Sequence, residues 1–294
     1  MMFMNKASLT QVVEETTIKL LWLASFDLPQ GVEKALRDAL NHEDDPIARS
    51  QLSVILKNID IARKKRVPIC QDTGIPMIHV ILGEDFPLKA ILPNILREAV
   101  RKATISIPLR PNAVHPFTRK NTSDNSGIHL PYLEWEIKHG DSLEILVIPK
   151  GFGSENMSQL GMLTPGEGLN GVKSFVLDCV VNAGGRPCPP TIIGVGVGLG
   201  VDGVMKLARR AAIRPLPLRN EDPFIASLET QLLKLVNETG IGPMGLGGKT
   251  TSLAVNIEIG HTHTGGLPVG VVFQCWAARM AEATVESDGK VKIA

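Results

Sequence analysis

"PMGLGGKTT", residues 243–251, comes one residue short of a phosphate-binding loop. Gly248, Lys249 and Thr250 satisfy the end of G-x-x-x-x-G-K-[ST], but Pro243 stands where the first glycine belongs. The fold turns on this stretch, because a true phosphate loop leaves a buried strand and opens a helix in a nucleotide-binding sheet. Here no convincing apolar strand precedes it, and "TSLAVNIEIGHTH" after it has β-like alternation. Upstream, "GLGVDG" (198–203) fits G-x-G-x-x-G between the strand-like "TIIGVGVG" and the helical "VDGVMKLARRAAI". The segment that follows is not a second dinucleotide-fold strand, so this pattern carries no nucleotide site either.

Helix-like apolar spacing marks residues 8–25, 31–42 and 46–65. After the break at Pro68, "MIHVILG" (77–83) is strand-like. A further helix ends near residue 106, and Pro93 delays or kinks its start. "YLEWEIK" and "LEILVI" alternate around His139-Gly140-Asp141, which predicts a half-buried hairpin. Helices follow at 166–183, 201–213 and 222–238, then strands in "TSLAVNIEIGHTH" and "PVGVVFQCW", and a closing hairpin in "VESDGKVKIA". Helices dominate the start and no regular βαβ beat follows, so the expected class is α+β rather than a doubly wound sheet. We expect one domain over 1–294, helical to about 66 and mixed from about 67.

Composition narrows the function class. Hydrophobic residues make up 44% and charged residues 21%, ordinary for a globular protein. A net charge of +1 provides no general field for nucleic acid or an anionic membrane. Glu14, Glu15 and Lys19 interrupt any signal-peptide core, and the longest apolar run is broken by Pro and Gly. The expected location is the cytoplasm. Arg209, Arg210 and Arg214, at helical spacing, suggest a solvated or interface face.

The four cysteines then carry the chemistry. A cytosolic chain of this size favours metal binding or catalysis over disulfides. Cys70 opens the polar turn "CQDTG", and prolines fix the backbone around Cys188 in "RPCPPT". Both contexts suit a ligating thiolate. Cys179 lies in the amphipathic "SFVLDCVVNA" and reads as core. A zinc site of Cys188, His261, His263 and Cys275 is an open alternative, although its spacing matches no common zinc pattern.

Taken together, "CQDTG", "PLRPNAV", "KGFGSEN", "CPPTIIGVGVG", "GIGPMGLGGKTT" and "GHTHTGGLPVGVVFQCWA" resemble the iron–sulfur-dependent class I fumarase and tartrate dehydratase family. The match runs in order from about residue 8 to the C-terminus. It corresponds to the α chain of the two-subunit enzymes, or to the N-terminal half of the single-chain ones. The resemblance implies a [4Fe-4S] cluster held by Cys70, Cys188 and Cys275, with one iron left open as a Lewis acid. It also implies that Gln71, Asp72, Arg110 and Gly153 contact a small dicarboxylate, that Asp72 moves a proton, and that His263 lies nearby as a catalytic group. The bland readings are a solvated turn for Arg110, a cap for Asp72, backbone conformation for Gly153 and a satisfied imidazole for His263. "KGFGSEN" looks more like the two-subunit fumarases, so the expected reaction is reversible hydration of fumarate to malate. The alternatives are tartrate dehydration and a non-catalytic iron–sulfur or zinc-binding subunit. The chain stops at Ala294, where the single-chain enzymes continue. A separate β chain, in an (αβ)2 assembly, is therefore expected to complete the site.

Overall fold

Asn5 starts the first helix by accepting a hydrogen bond from the Ser8 amide at 2.9 Å. The computed structural model describes residues 5–294. The helices are α1 (Lys6–Phe26), α2 (Gln30–His42), α3 (Pro46–Lys65), α4 (Leu92–Ser106), α5 (Phe152–Glu155), α6 (Gly168–Ala183), α7 (Val201–Ile213) and α8 (Pro223–Glu238). The strands are β1 (Ile75–Gly83), β2 (Tyr132–Lys138), β3 (Leu143–Lys150), β4 (Gln159–Leu163), β5 (Thr191–Leu199), β6 (Ser252–Thr262), β7 (Leu267–Gln274), β8 (Ala281–Val285) and β9 (Val291–Ile293). The class is α+β, as the sequence indicates. Pro93 sits in the first turn of α4, where its missing N–H has no helical partner to lose. Basic Arg63, Lys64 and Lys65 end α3, where they complement the helix dipole.

The chain divides into two compact units. The first comprises residues up to Leu28, Ile59–Gly151 and Arg279–Ala294. Its sheet has the order β2-β1-β3-β8-β9. Ile78, Val80, Leu143, Ile145 and Val147 face a core shared with Leu9, Val13 and Leu20 of α1 and Leu96 and Val100 of α4. The expected hairpin of "YLEWEIK" and "LEILVI" does not form. β1 lies between them, parallel to β2 and antiparallel to β3. Alternation marks the inward face of β3, where Leu143, Ile145 and Val147 are buried, but not that of β2, where Glu134 is buried while Tyr132, Trp135 and Ile137 are exposed. β1 takes the place between the two and displaces the local pairing.

The second unit comprises Pro29–Asn58 and Phe152–Ala278. Its sheet has the order β4-β7-β5-β6, with β5 and β6 parallel and β7 antiparallel to β5. The "GVGVG" alternation explains how it is covered. Ile193 and Val195 pack with α6 and α8 through Val176, Val180, Leu228 and Leu232. Gly194 and Gly196 point the other way, where a Cβ would overlap the carbonyl oxygens of Ala208 and Val204 in α7. The glycines let α7 approach the sheet closely. Arg214 is not on a solvated face: it bonds Glu229 and Glu258 at 2.5 Å each and the Ile257 carbonyl at 2.7 Å. Glu229 is fully buried, so the pair satisfies a charge that would otherwise be costly inside the unit.

Candidate active site

The glycine-rich stretch 243–251 is a support for the loop of Cys188. Gly242, Gly245, Gly247 and Gly248 all have positive φ, which sharp turns of this kind require. The Met244 amide donates to the Pro189 carbonyl at 2.8 Å. A Cβ on Gly245 would come within 2.5 Å of the Gly185 Cα. Lys249 reaches no phosphate position. Its amide donates to Glu43 Oε2 at 2.7 Å, and its ammonium pairs with Asp44. β6 follows two residues after Thr250, so no helix opens here. We expect Gly245→Ala to destabilise the chain by about 1–3 kcal/mol, from the strained φ of +75° and the overlap with Gly185. Thermal unfolding measures that loss, and faster alkylation of Cys188 in the cluster-free protein reports the loosened loop.

Cys188 itself has a φ of +56°, an uncommon conformation for a side-chain-bearing residue. Its carbonyl accepts from the Trp276 amide at 3.1 Å, which ties it to the residue after Cys275. Both thiols therefore sit at one end of the second sheet, since Ile192 pairs with Gln274. Leu199 pairs with Thr262, so the "HTH" segment lies at the opposite end. Nine residues of β5 separate the ends, about 25 Å at the usual rise. His261 and His263 therefore cannot join Cys188 and Cys275 around one zinc ion within this unit. His263 is exposed and its Nδ1 accepts from the Gly265 amide at 3.0 Å. Gly153 lies in α5, and a Cβ there would have only the Arg186 carbonyl nearby, at 3.6 Å.

In the first unit, the "CQDTG" and "PLRPNAV" segments meet. The Arg110 amide donates to Thr73 Oγ1 at 3.0 Å, and that hydroxyl donates back to the Arg110 carbonyl at 3.3 Å. Asn112 Nδ2 donates to Asp72 Oδ1 at 3.2 Å and to the Gly74 carbonyl at 3.1 Å. The Gly74 amide closes a turn onto Asp72 Oδ1 at 2.9 Å. Buried Asn125 supports both strands of this arrangement, accepting from the Asn112 amide at 2.7 Å and donating to the Arg110 carbonyl at 3.0 Å. Gln71 and the Arg110 guanidinium are exposed and have no partner among the described residues. A carboxylate, an amide and a guanidinium are thus placed on two interlocked loops. Such a set can move a proton and bind a carboxylate.

Sequence reasoning missed Asn112, Asn125 and Arg279. Arg279 Nη2 donates to the Asp72 carbonyl at 2.9 Å. Nothing in "CWAARM" distinguishes this arginine from a surface one. The asparagines stand in turn-rich segments, where side chains commonly tie backbone together.

A family model described as "Fumarate hydratase (Fumerase)" matches residues 14–284. The chain belongs to the fumarate hydratase family. Within this hydro-lyase family, the chain is 43% identical to a putative L(+)-tartrate dehydratase subunit alpha of Methanocaldococcus jannaschii over 95% of its own length and 99% of that protein's. It is 34% identical to the L(+)-tartrate dehydratase subunit alpha of Escherichia coli O157:H7, over 97% of its length and 94% of that protein's. The corresponding subunit of E. coli K12 is 33% identical over the same shares.

In this fumarate hydratase-family chain, the thiols have the donor chemistry of iron–sulfur ligands, with Cys70 in the first unit and Cys188 and Cys275 in the second. All four cysteines are thiols; Cys70, Cys188 and Cys275 are partly exposed and stand on loops, whereas Cys179 is fully buried. Burial pushes the Cys179 thiol up to about 12, and the neighbouring Asp178 charge adds to the effect. Cys179 is therefore a core residue and a poor ligand. The buried Arg279 guanidinium supplies positive charge beside Asp72, which suits a site that takes anions. Among the described residues, no helix is long and apolar enough to cross a membrane.

Proposed function

We propose that this chain is the α subunit of a two-subunit L(+)-tartrate dehydratase. The observation that carries the reading is the 43% identity to a tartrate dehydratase α subunit across nearly the whole of both chains. It replaces the fumarate substrate expected from "KGFGSEN". The relatives' designation as subunit alpha supports a separate β subunit. An (αβ)2 complex is the assembly we infer.

Elimination of water from tartrate breaks one C–H bond and the C–O bond on the adjacent carbon. The enol that forms tautomerises to the 2-oxo dicarboxylate. Asp72 takes the proton in this reading. Its carboxylate is held by the Gly74 amide and Asn112, so it meets the substrate with little reorganisation. The exposed Arg110 guanidinium pairs with one substrate carboxylate, a charge-assisted contact. Gln71 donates from its side-chain amide, and Gly153 offers its backbone. Cys70, Cys188 and Cys275 would hold a [4Fe-4S] cluster, which when bound supplies a Lewis acid for the leaving hydroxyl. We give His263 no role beside those ligands, because β5 and β6 carry it to the far end of the sheet from Cys188 and Cys275. The second carboxylate of the substrate requires a cation that we assign to the β subunit.

The family description keeps reversible hydration of fumarate as the second reading. The anaerobically reconstituted αβ complex separates the two. We expect kcat/KM for L-tartrate to exceed that for malate by about ten-thousandfold, the discrimination of a site built to bond a hydroxyl against the analogue that lacks it. A preference for malate would establish the fumarase reading instead.

A further inference from the structure

Arg279 follows Cys275 by four positions and is the first residue of the chain's return to the first unit. Its side chain is only 3% exposed. Nη2 donates to the main-chain carbonyl of Asp72 at 2.9 Å. Nε and Nη1 are buried and have no hydrogen-bond partner among the described residues. A guanidinium enclosed in this way is unfavourable unless its charge or its donors are used. Its one hydrogen bond is made to the segment that joins Cys70 to Gly74.

Gly151 shows how tightly this corner is built. A Cβ on Gly151 would lie 3.2 Å from Asp72 Oδ2 and 3.7 Å from Arg279 Nη2. The missing side chain therefore leaves the carboxylate and the guanidinium facing the same small space. Asp72 is then fixed from three directions. Gly74 and Asn112 hold Oδ1, and Arg279 holds the carbonyl. The first two bonds orient the carboxylate about its own side chain. The third anchors the main chain that carries it.

We propose that Arg279 is a positioning residue for the hydro-lyase reaction: it anchors the Asp72 main chain and thereby sets where the Asp72 carboxylate meets the substrate C–H. The inference rests on the reading of Asp72 as the proton-transfer group. A role in packing alone is separable from it, because methionine keeps most of the apolar stem and removes every donor.

The test compares wild type, Arg279→Met and Arg279→Lys. In the cluster-free chain, amide hydrogen exchange across residues 70–74 should accelerate in Arg279→Met and much less in Arg279→Lys, whose ammonium can still donate to the Asp72 carbonyl. Exchange in β4–β7 should stay at the wild-type rate. In the cluster-loaded αβ complex, kcat per cluster should fall about a hundredfold in Arg279→Met, the cost typical of a misplaced catalytic group, with KM and iron content near wild type. Arg279→Lys should recover part of kcat. Wild-type exchange at 70–74 in Arg279→Met would overturn the proposal. So would exchange accelerated throughout the first unit with kcat per cluster unchanged, which marks a packing role. If the wild-type complex acts on neither tartrate nor malate, the functional reading fails, and exchange at 70–74 still decides whether Arg279 holds the loop.

Discussion

Asp72→Asn should lower kcat by about a thousandfold while leaving KM within a few-fold and the iron and sulfide content unchanged. The magnitude is that of a lost general base or acid, 10²–10⁴ in rate. The substitution is informative because of how the loop is built. Asp72 Oδ1 accepts from the Gly74 amide and from Asn112. The carboxamide oxygen of asparagine can take the same two bonds, so the turn keeps its shape. What disappears is the negative charge and the ability to accept a proton. Steady-state kinetics on the reconstituted αβ complex, with metal analysis of the same sample, measures both sides of the prediction. Activity within threefold of wild type would reduce Asp72 to a turn-capping residue. A parallel loss of iron would mean that the substitution disturbs Cys70, two positions earlier, rather than the chemistry.

The second large effect concerns the thiols. Replacing Cys70, Cys188 or Cys275 by alanine should abolish the visible absorption of the cluster and bring hydro-lyase activity to background. In the proposed site each supplies one of three ligands, and a remaining pair cannot hold the cubane. Cys179→Ala should behave differently. It removes one buried sulfur from the face of α6 that packs on the second sheet, a small core truncation costing on the order of 1 kcal/mol. Its cluster content and kcat should match wild type. Anaerobic iron and sulfide determination on the four variants decides the matter. Loss of the cluster from Cys179→Ala at wild-type thermal stability would overturn the assignment of ligands. Stoichiometric zinc in a colourless wild-type protein would replace the cluster with a different metal.

Legibility in the sequence followed the range of the interaction concerned. Helices α1, α2, α3, α6, α7 and α8 were apparent because apolar periodicity and caps lie within a few turns of each other. The core role of Cys179 came from the same periodicity, and its burial follows from it. The failure of "PMGLGGKTT" as a phosphate loop was also local, since Pro243 and the β-like run after Thr250 stand beside it. The short strand β4 escaped notice, because five residues with a central glycine carry little alternation.

The α+β class and the loop-borne thiols Cys70, Cys188 and Cys275 are legible from residue pattern alone, whereas the link between "CQDTG" and "PLRPNAV" comes from the family resemblance. Which segments meet depends on long-range packing. β1 enters between β2 and β3, because strand order is set by how the buried faces pack on a shared core and not by the shortest connection. The parallel register of β5 and β6 carries His263 away from Cys188, which no residue spacing announces. Lys249 goes to Asp44, 205 positions earlier in the chain. Arg279 reaches Asp72 across 207 positions. Such partners are chosen when distant segments pack and a buried charge or amide must find whatever acceptor the fold brings to it.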